Sequence, residues 1–189
     1  MKIRLAGQIQ QDSIVDGEGL RTVIWTQGCS HNCPGCHNPE THDFKGGFEI
    51  SIDEVKQKLK TLKYQDGITL SGGDPFFQAE ACFEIAKYSH TLNLNVWCYT
   101  GFTFEQLMKL SKTKPIILEF LNQIDVLIDG RFILSEKSLN VKFRGSKNQR
   151  IIDVKKSLKL GYACCINKYD QSFFVHDLFT NNKKDAVFI

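Results

Sequence analysis

A chain of 189 residues is long enough to bury one substantial core, and its 42% hydrophobic and 24% charged content is that of an ordinary globular protein. The formal charge of +3, from 24 basic and 21 acidic residues, gives no ground for a nucleic-acid or membrane-surface partner. Seven cysteines without an apolar leader or a membrane-length apolar run point away from a secreted disulfide scaffold and a transmembrane protein, and towards a reducing cytoplasm.

Ile3 to Leu5 alternate apolar and polar and read as a short first strand. Asp16-Gly17-Glu18-Gly19 is a turn, and the β-branched and aromatic run Thr22–Thr26 is a strand. A loop follows, CSHNCPGCHN from Cys29 to Asn38, tightened by Gly28, Pro34 and Gly35. Residues 37–50 are polar and glycine-containing and are expected to be irregular. Ser51 and Glu54 have the spacing of a capping box, and Val55, Leu59 and Leu62 give the following helix its apolar stripe.

Gly67–Ser71 is a strand ending in Gly72-Gly73-Asp74-Pro75, and a helix is expected from Gln78 to Tyr88 with Ala81, Cys82, Ile85 and Ala86 inward. The same rhythm recurs. Leu94–Tyr99 is a strand, Thr100-Gly101 a turn, and Thr103 with Gln106 caps a helix. A short helix runs from Pro115 to Leu121, and a strand from Ile124 to Ile128 closes at Asp129-Gly130. Val141 and Phe143 suggest a further short strand, and Arg150–Val154 a clearer one. From Gly161 no period is decisive. Residues 1–160 are expected to form one domain, with 161–189 a C-terminal extension packed on it.

Strands alternating with helices over short connections imply a largely parallel sheet with helical cover. Glycines and polar residues gather after the C-terminal strand ends, the edge where such folds place their chemistry. There are too few units for a closed eight-stranded barrel. Periodicity alone leaves a doubly wound sheet and an incomplete barrel both open.

Cys29, Cys33 and Cys36 form a C-x3-C-x2-C triplet. Zinc could use it with His31, His37 or His42 as fourth ligand. An iron–sulfur cluster could use it and keep one iron open, which the spacing favours, while three inert thiols are the bland reading. Cys82 and Cys98 fall on apolar sides of a helix and a strand and read as buried structural thiols. The adjacent Cys164-Cys165 pair stays unassigned.

The triplet, in a loop after the first long strand, resembles the radical S-adenosylmethionine superfamily. Six segments in order sharpen the resemblance: Gly17–Arg21, CSHNCPGCHNP, SGGDP from Ser71, WCYTG from Trp97, DVLIDGRF from Asp125 and FRGSKNQRIIDV from Phe143. Together they are similar to the activating proteins of anaerobic ribonucleoside-triphosphate reductases, over residues 10–155. The resemblance implies an α/β fold, an incomplete (β/α) barrel. It implies a [4Fe-4S] cluster on Cys29, Cys33 and Cys36, with S-adenosyl-L-methionine at the open iron.

Cofactor contacts are implied at Gly72, Gly73 and Asp74, at Thr100, at Asp129 and Arg131, and at Arg144, Ser146 and Asn148. On residue type alone the same stretches could be plain turns. His37 and Asn38 are expected to support the loop. Gly35 stands where the superfamily often carries a large residue, so adenine cover is expected elsewhere, with Phe76 and Phe132 as candidates. The implied activity is reductive cleavage of the cofactor to a 5′-deoxyadenosyl radical. That radical would abstract hydrogen from a glycine on a loop of the partner reductase, with a flavodoxin-like electron donor. Activation of another glycyl-radical enzyme and a non-catalytic zinc-stabilised interaction module are the alternatives.

Overall fold

The computed structural model describes residues 1–169. The N-terminal part supplies β1 (Lys2–Leu5), β2 (Gln10–Ser13), β3 (Arg21–Thr26), β4 (Phe48–Ser51) and α1 (Ile52–Lys60). Then come β5 (Gly67–Gly72), α2 (Ala79–Thr91), β6 (Asn95–Tyr99), α3 (Phe104–Ser111), α4 (Pro115–Leu121), β7 (Val126–Asp129), β8 (Arg150–Asp153) and α5 (Val154–Leu160). The strands make one sheet in the order β4-β1-β3-β5-β6-β7-β8, with β2 also beside β3. Its centre, β3-β5-β6-β7, is parallel, whereas β1, β2, β4 and β8 join antiparallel. The sheet does not close, since β4 and β8 end it. It is an incomplete barrel with a parallel heart and antiparallel flanks.

Alternation within the strands decides what each face does. Ile24, Ile68, Leu70, Val96, Cys98, Leu127 and Ile152 point to the helices and join Val55, Leu59, Ile85, Leu107 and Phe120 in the main core. The intervening residues face the other way. There Trp97, Ile128 and Ile151 form a smaller cluster with Tyr169, flanked by Tyr99, Phe143 and Ile166. The helices cover one face, and α2 touches both α1 and α4.

Arg21 is buried at the N-terminal end of β3. Its guanidinium donates to Thr69 Oγ1 at 2.7 Å, the Glu18 carbonyl at 3.0 Å, Asn95 Oδ1 at 2.9 Å and the Ile68 carbonyl. It also lies 5.1 Å from the Trp97 ring centroid. Burial disfavours its charged form and lowers its pKa to about 10. Gly17 is required beside it: at φ +136° a Cβ would lie 2.7 Å from Arg21 Cδ. The glycine-rich turn therefore seats a buried cation.

Several expected boundaries shift. Residues 37–50 are not wholly irregular, because β4 pairs with β1 from Lys2↔Ser51 to Leu5↔Phe48 and buries Ile50. Polar β2 carried no alternation to reveal it. The expected strand at Val141 and Phe143 is absent. Phe143 takes φ +54° and puts its ring against Trp97 and Tyr169, at 5.3 and 5.5 Å between centroids. α5 was hidden behind β8; Asp153 caps it by accepting from Lys156 N, and Gly161 ends it at φ +80°.

After Gly161 the chain returns to the sheet. Cys165 bridges Ile152, and the Tyr169 hydroxyl donates to Glu18 at 2.5 Å. The rest of the expected extension, residues 170–189, lies outside the described residues. Among the described residues no helix is long and apolar enough to cross a membrane.

Candidate metal and cofactor site

The cysteine loop leaves the end of β3 and is tied at both ends by backbone. Gly28 N donates to the Thr41 carbonyl at 2.8 Å and Cys29 N to that of His42 at 3.2 Å. Gln27 braces the return, its amide donating to the carbonyls of Glu40 and Asp43 at 3.1 and 2.7 Å. Within the loop Cys36 N donates to the Cys33 carbonyl at 3.1 Å, and Asn38 N to Cys36 Sγ at 3.4 Å.

Cys29, Cys33 and Cys36 are half-buried and line one cavity of about 380 Å³. Its floor comes from the C-terminal ends of the parallel strands and the turns that follow: Ser71 and Gly72 of β5 with Gly73 after it, then Tyr99 of β6 with Thr100 and Gly101 after it. Gly130 and Phe132 continue it, and Arg144, Gly145 and Gln149 complete a polar wall. Burial, with smaller additions from Asp74 and the neighbouring thiols, pushes Cys29 up to about 11. Burial also raises Cys33, opposed first by a hydrogen bond from the Phe132 backbone and less by the Arg131 charge. Iron ligation reverses that balance, because it stabilises the thiolate and releases the proton.

The donor set fits an iron–sulfur cluster. Three thiols share one cavity wall, and the Asn38 amide already hydrogen-bonds one sulfur. Among the described residues no three His, Cys, Asp or Glu side chains converge on a single ion. His31, a candidate zinc ligand by sequence, is engaged elsewhere: its Nε2 lies 2.7 Å from an Asp74 carboxylate oxygen.

Of the residues expected to contact cofactor, Gly72, Gly73, Thr100 and Arg144 line the cavity with the cysteines. Asp74 lies beneath the floor with no exposed surface. Asp129 is turned away from the cavity. Its carboxylate accepts from Phe104 N at 2.7 Å and from Arg150 at 2.9 and 2.5 Å, fastening α3 and β8 to the end of β7. Asp129 is thus a structural anchor outside the cavity lining rather than a side chain presented to it.

Arg131 is exposed and is not among the residues that line the cavity; its carbonyl accepts from Asn148 Nδ2 at 2.8 Å. Ser146 is buried and accepts from Ile133 N at 3.2 Å. Gln149 accepts from Gly145 N at 2.9 Å and donates to the Gly130 carbonyl at 3.0 Å. Ser146 and Asn148 thus shape the wall, and Arg144, Gly145 and Gln149 present it.

Phe76 belongs to the helical core, 4.8 Å from Phe120 between ring centroids, and is not among the residues that line the cavity. Phe132 does line the cavity, its ring 4.9 Å from that of His37. Trp25, Tyr99 and Phe143 line it too and were missed. The signal for the first two was present: Trp25 pairs with Ser71, and both lie at strand ends on the face away from the helices.

A family model described as a 4Fe-4S single cluster domain matches residues 15–152. The chain is similar to the anaerobic ribonucleoside-triphosphate reductase-activating protein of Enterobacteria phage T4, at 34% identity over 145 residues, covering 72% of this chain and 86% of that one. It is also similar to the protein of that name from Haemophilus influenzae, at 30% identity over 152 residues, covering 76% and 94%. Among solved structures, QueE from Escherichia coli superposes with a TM-score of 0.42 over 54% of each chain at 13% identity, too loosely to bear on the fold. With the cysteine loop, the glycine floor and the polar wall all inside the matched span, the chain belongs to the radical S-adenosylmethionine family of anaerobic ribonucleoside-triphosphate reductase-activating proteins.

Proposed function

We propose that this protein reductively cleaves S-adenosylmethionine at a [4Fe-4S] cluster and so installs a glycyl radical on an anaerobic ribonucleoside-triphosphate reductase. The observation that carries the reading is one cavity walled by Cys29, Cys33 and Cys36 and floored by Gly72 and Gly73 at parallel strand ends. The relatives' shared name supplies the partner.

When bound and reduced, the cluster supplies one electron that breaks the cofactor's sulfonium C–S bond and starts hydrogen abstraction from a glycine Cα. The chain's own residues bind, orient and exclude. Cys29, Cys33 and Cys36 would hold the cluster as three thiolate ligands, which would leave one iron without a protein ligand among them. Gly72 and Gly73, without side chains, let the cofactor's methionine end approach the β5 backbone. Thr100 and Arg144 shape the seat around it: the Thr100 hydroxyl is held by Asp74 at 2.8 Å, and the Arg144 guanidinium donates to the Gln149 and Tyr169 carbonyls at 3.1 and 3.0 Å while bordering the cavity.

Trp25, Tyr99, Phe132 and Phe143 give the cavity aromatic walls that keep water and stray hydrogen donors from the reacting centre. The unclosed sheet leaves a side through which a glycine-bearing loop can enter. A flavodoxin-like protein fits the role of one-electron donor.

Anaerobic reconstitution tests the reading. Iron and sulfide should bind with iron–sulfur absorption, and reduction with S-adenosylmethionine present should release methionine and 5′-deoxyadenosine. Bound zinc without that absorption, and no cofactor cleavage, would overturn it.

A further inference from the structure

Asp74 is expected from sequence to touch cofactor, yet it is buried beneath the floor and its carboxylate is occupied by protein. One oxygen, Oδ2, accepts from His31 Nε2 at 2.7 Å, Thr100 Oγ1 at 2.8 Å and Gly101 N at 3.0 Å. The other accepts from Phe76 N at 3.0 Å. These donors come from different places: the middle of the cysteine loop, the turn after β6 and the turn after β5 itself. One carboxylate therefore joins the loop that carries the thiols to both turns that make the floor.

His31 is built for this contact. It sits between Cys29 and Cys33 and borders the same cavity, yet only 9% of the residue is exposed and its ring reaches Asp74 beneath the floor. The ring is held edge-on to Phe102 at 4.6 Å and tilted against Phe77 at 5.7 Å between centroids. Gly101 makes room for it, since a Cβ there would lie 2.4 Å from His31 Cδ2. The backbone adds a second tie at the start of the loop, where Asp74 N donates to the Gly28 carbonyl at 3.0 Å.

We propose that His31 and Asp74 are positioning residues, a buried tie that fixes the height and tilt of the cysteine loop over the floor made by Gly72, Gly73 and Thr100. The tie would fix how the three cysteines present a bound cluster to the cavity. It rests on the cluster reading above, but concerns this chain's own hydrogen bond. A partner that orients a ligand-bearing group typically changes metal retention by about 10- to 100-fold when removed.

The test compares wild type with His31→Gln, which keeps an N–H donor, and His31→Phe, which keeps the ring and loses the donor. Each is reconstituted anaerobically, and three quantities are read. These are the thermal transition of the apo-protein, the rate of iron loss to a chelator, and the change in the reduced cluster's paramagnetic spectrum on adding S-adenosylmethionine. His31→Gln should match wild type. His31→Phe should still unfold cooperatively, at a lowered thermal transition because Asp74 loses a buried donor, lose iron about 10- to 100-fold faster, and show a weakened spectral response to the cofactor. Equal iron retention and equal spectral response in all three overturn the proposal.

Should His31→Phe fail to fold, His31→Asn replaces it, with its amide one methylene too short. The same loss is expected there, and wild-type retention overturns the proposal. Wild-type protein that takes up zinc with no iron–sulfur absorption overturns the cluster reading instead, before any variant is compared.

Discussion

Gly73→Ala should damage the site through the backbone alone. A Cβ at Gly73 would lie 2.4 Å from the Gly28 carbonyl oxygen and 2.8 Å from its carbon. An ordinary carbon–oxygen approach is about 3.3 Å, so the overlap is roughly 0.9 Å. The obstructing atoms are backbone and cannot rotate aside. Gly73 N also donates to the Thr26 carbonyl at 2.7 Å, and Asp74 N to Gly28, so neither side yields freely. Overpacking of this kind costs about 1–3 kcal/mol, which for a chain this long lowers Tm by roughly 2–12 °C. The displaced residue, Gly28, directly precedes Cys29. A misplacement near 1 Å at a reacting centre costs about 10²-fold in rate. Thermal denaturation of the apo-protein reads the first effect, and cofactor cleavage by the reconstituted protein the second. Gly7→Ala is the control, because a Cβ there meets nothing within 4 Å. If Gly73→Ala matched Gly7→Ala in both Tm and turnover, the close approach of β5 to the cysteine loop would be refuted.

Cys33→Ala should abolish iron–sulfur absorption and cofactor cleavage. Cys82→Ala, at a fully buried thiol of the main core, should retain both while losing about 1 kcal/mol of stability; the reverse pattern would place the site elsewhere. Glu105 accepts hydrogen bonds from Arg150, which lower its pKa from 4.5 to about 2. Its folded-state pKa is depressed, so its contribution is present above about 4.5 and lost as pH falls towards 2. With 57% of the side chain exposed, Glu105→Gln should cost under about 1 kcal/mol near neutrality, with the difference shrinking through that window. Denaturant midpoints at several pH values would show this, and a difference that widened in acid would contradict it.

The cysteine triplet and the strand-end glycines were legible because their chemistry is carried by spacing and by residue type. The parallel centre was legible from the alternation of Ile68, Leu70, Val96 and Cys98 with outward neighbours, next to capped helices. β2 was not, since Gln10–Ser13 shows no hydrophobic period and exists by pairing with β3. Asp129 and Asp74 show a deeper limit. Each is an aspartate after a strand, the pattern expected of a ligand contact. Which way the carboxylate turns depends on partners far along the chain, Arg150 for one and His31 for the other. Phe76 and Phe132 differ for the same reason: one is drawn into the helical core and the other left at the cavity.

The most direct measurement is paramagnetic resonance of an anaerobic ribonucleoside-triphosphate reductase mixed with the reduced, reconstituted protein and S-adenosylmethionine. A glycyl radical doublet on the reductase is expected, absent when Cys33→Ala replaces wild type. Cofactor cleavage by the wild type with no glycyl signal on the reductase would contradict the proposed function.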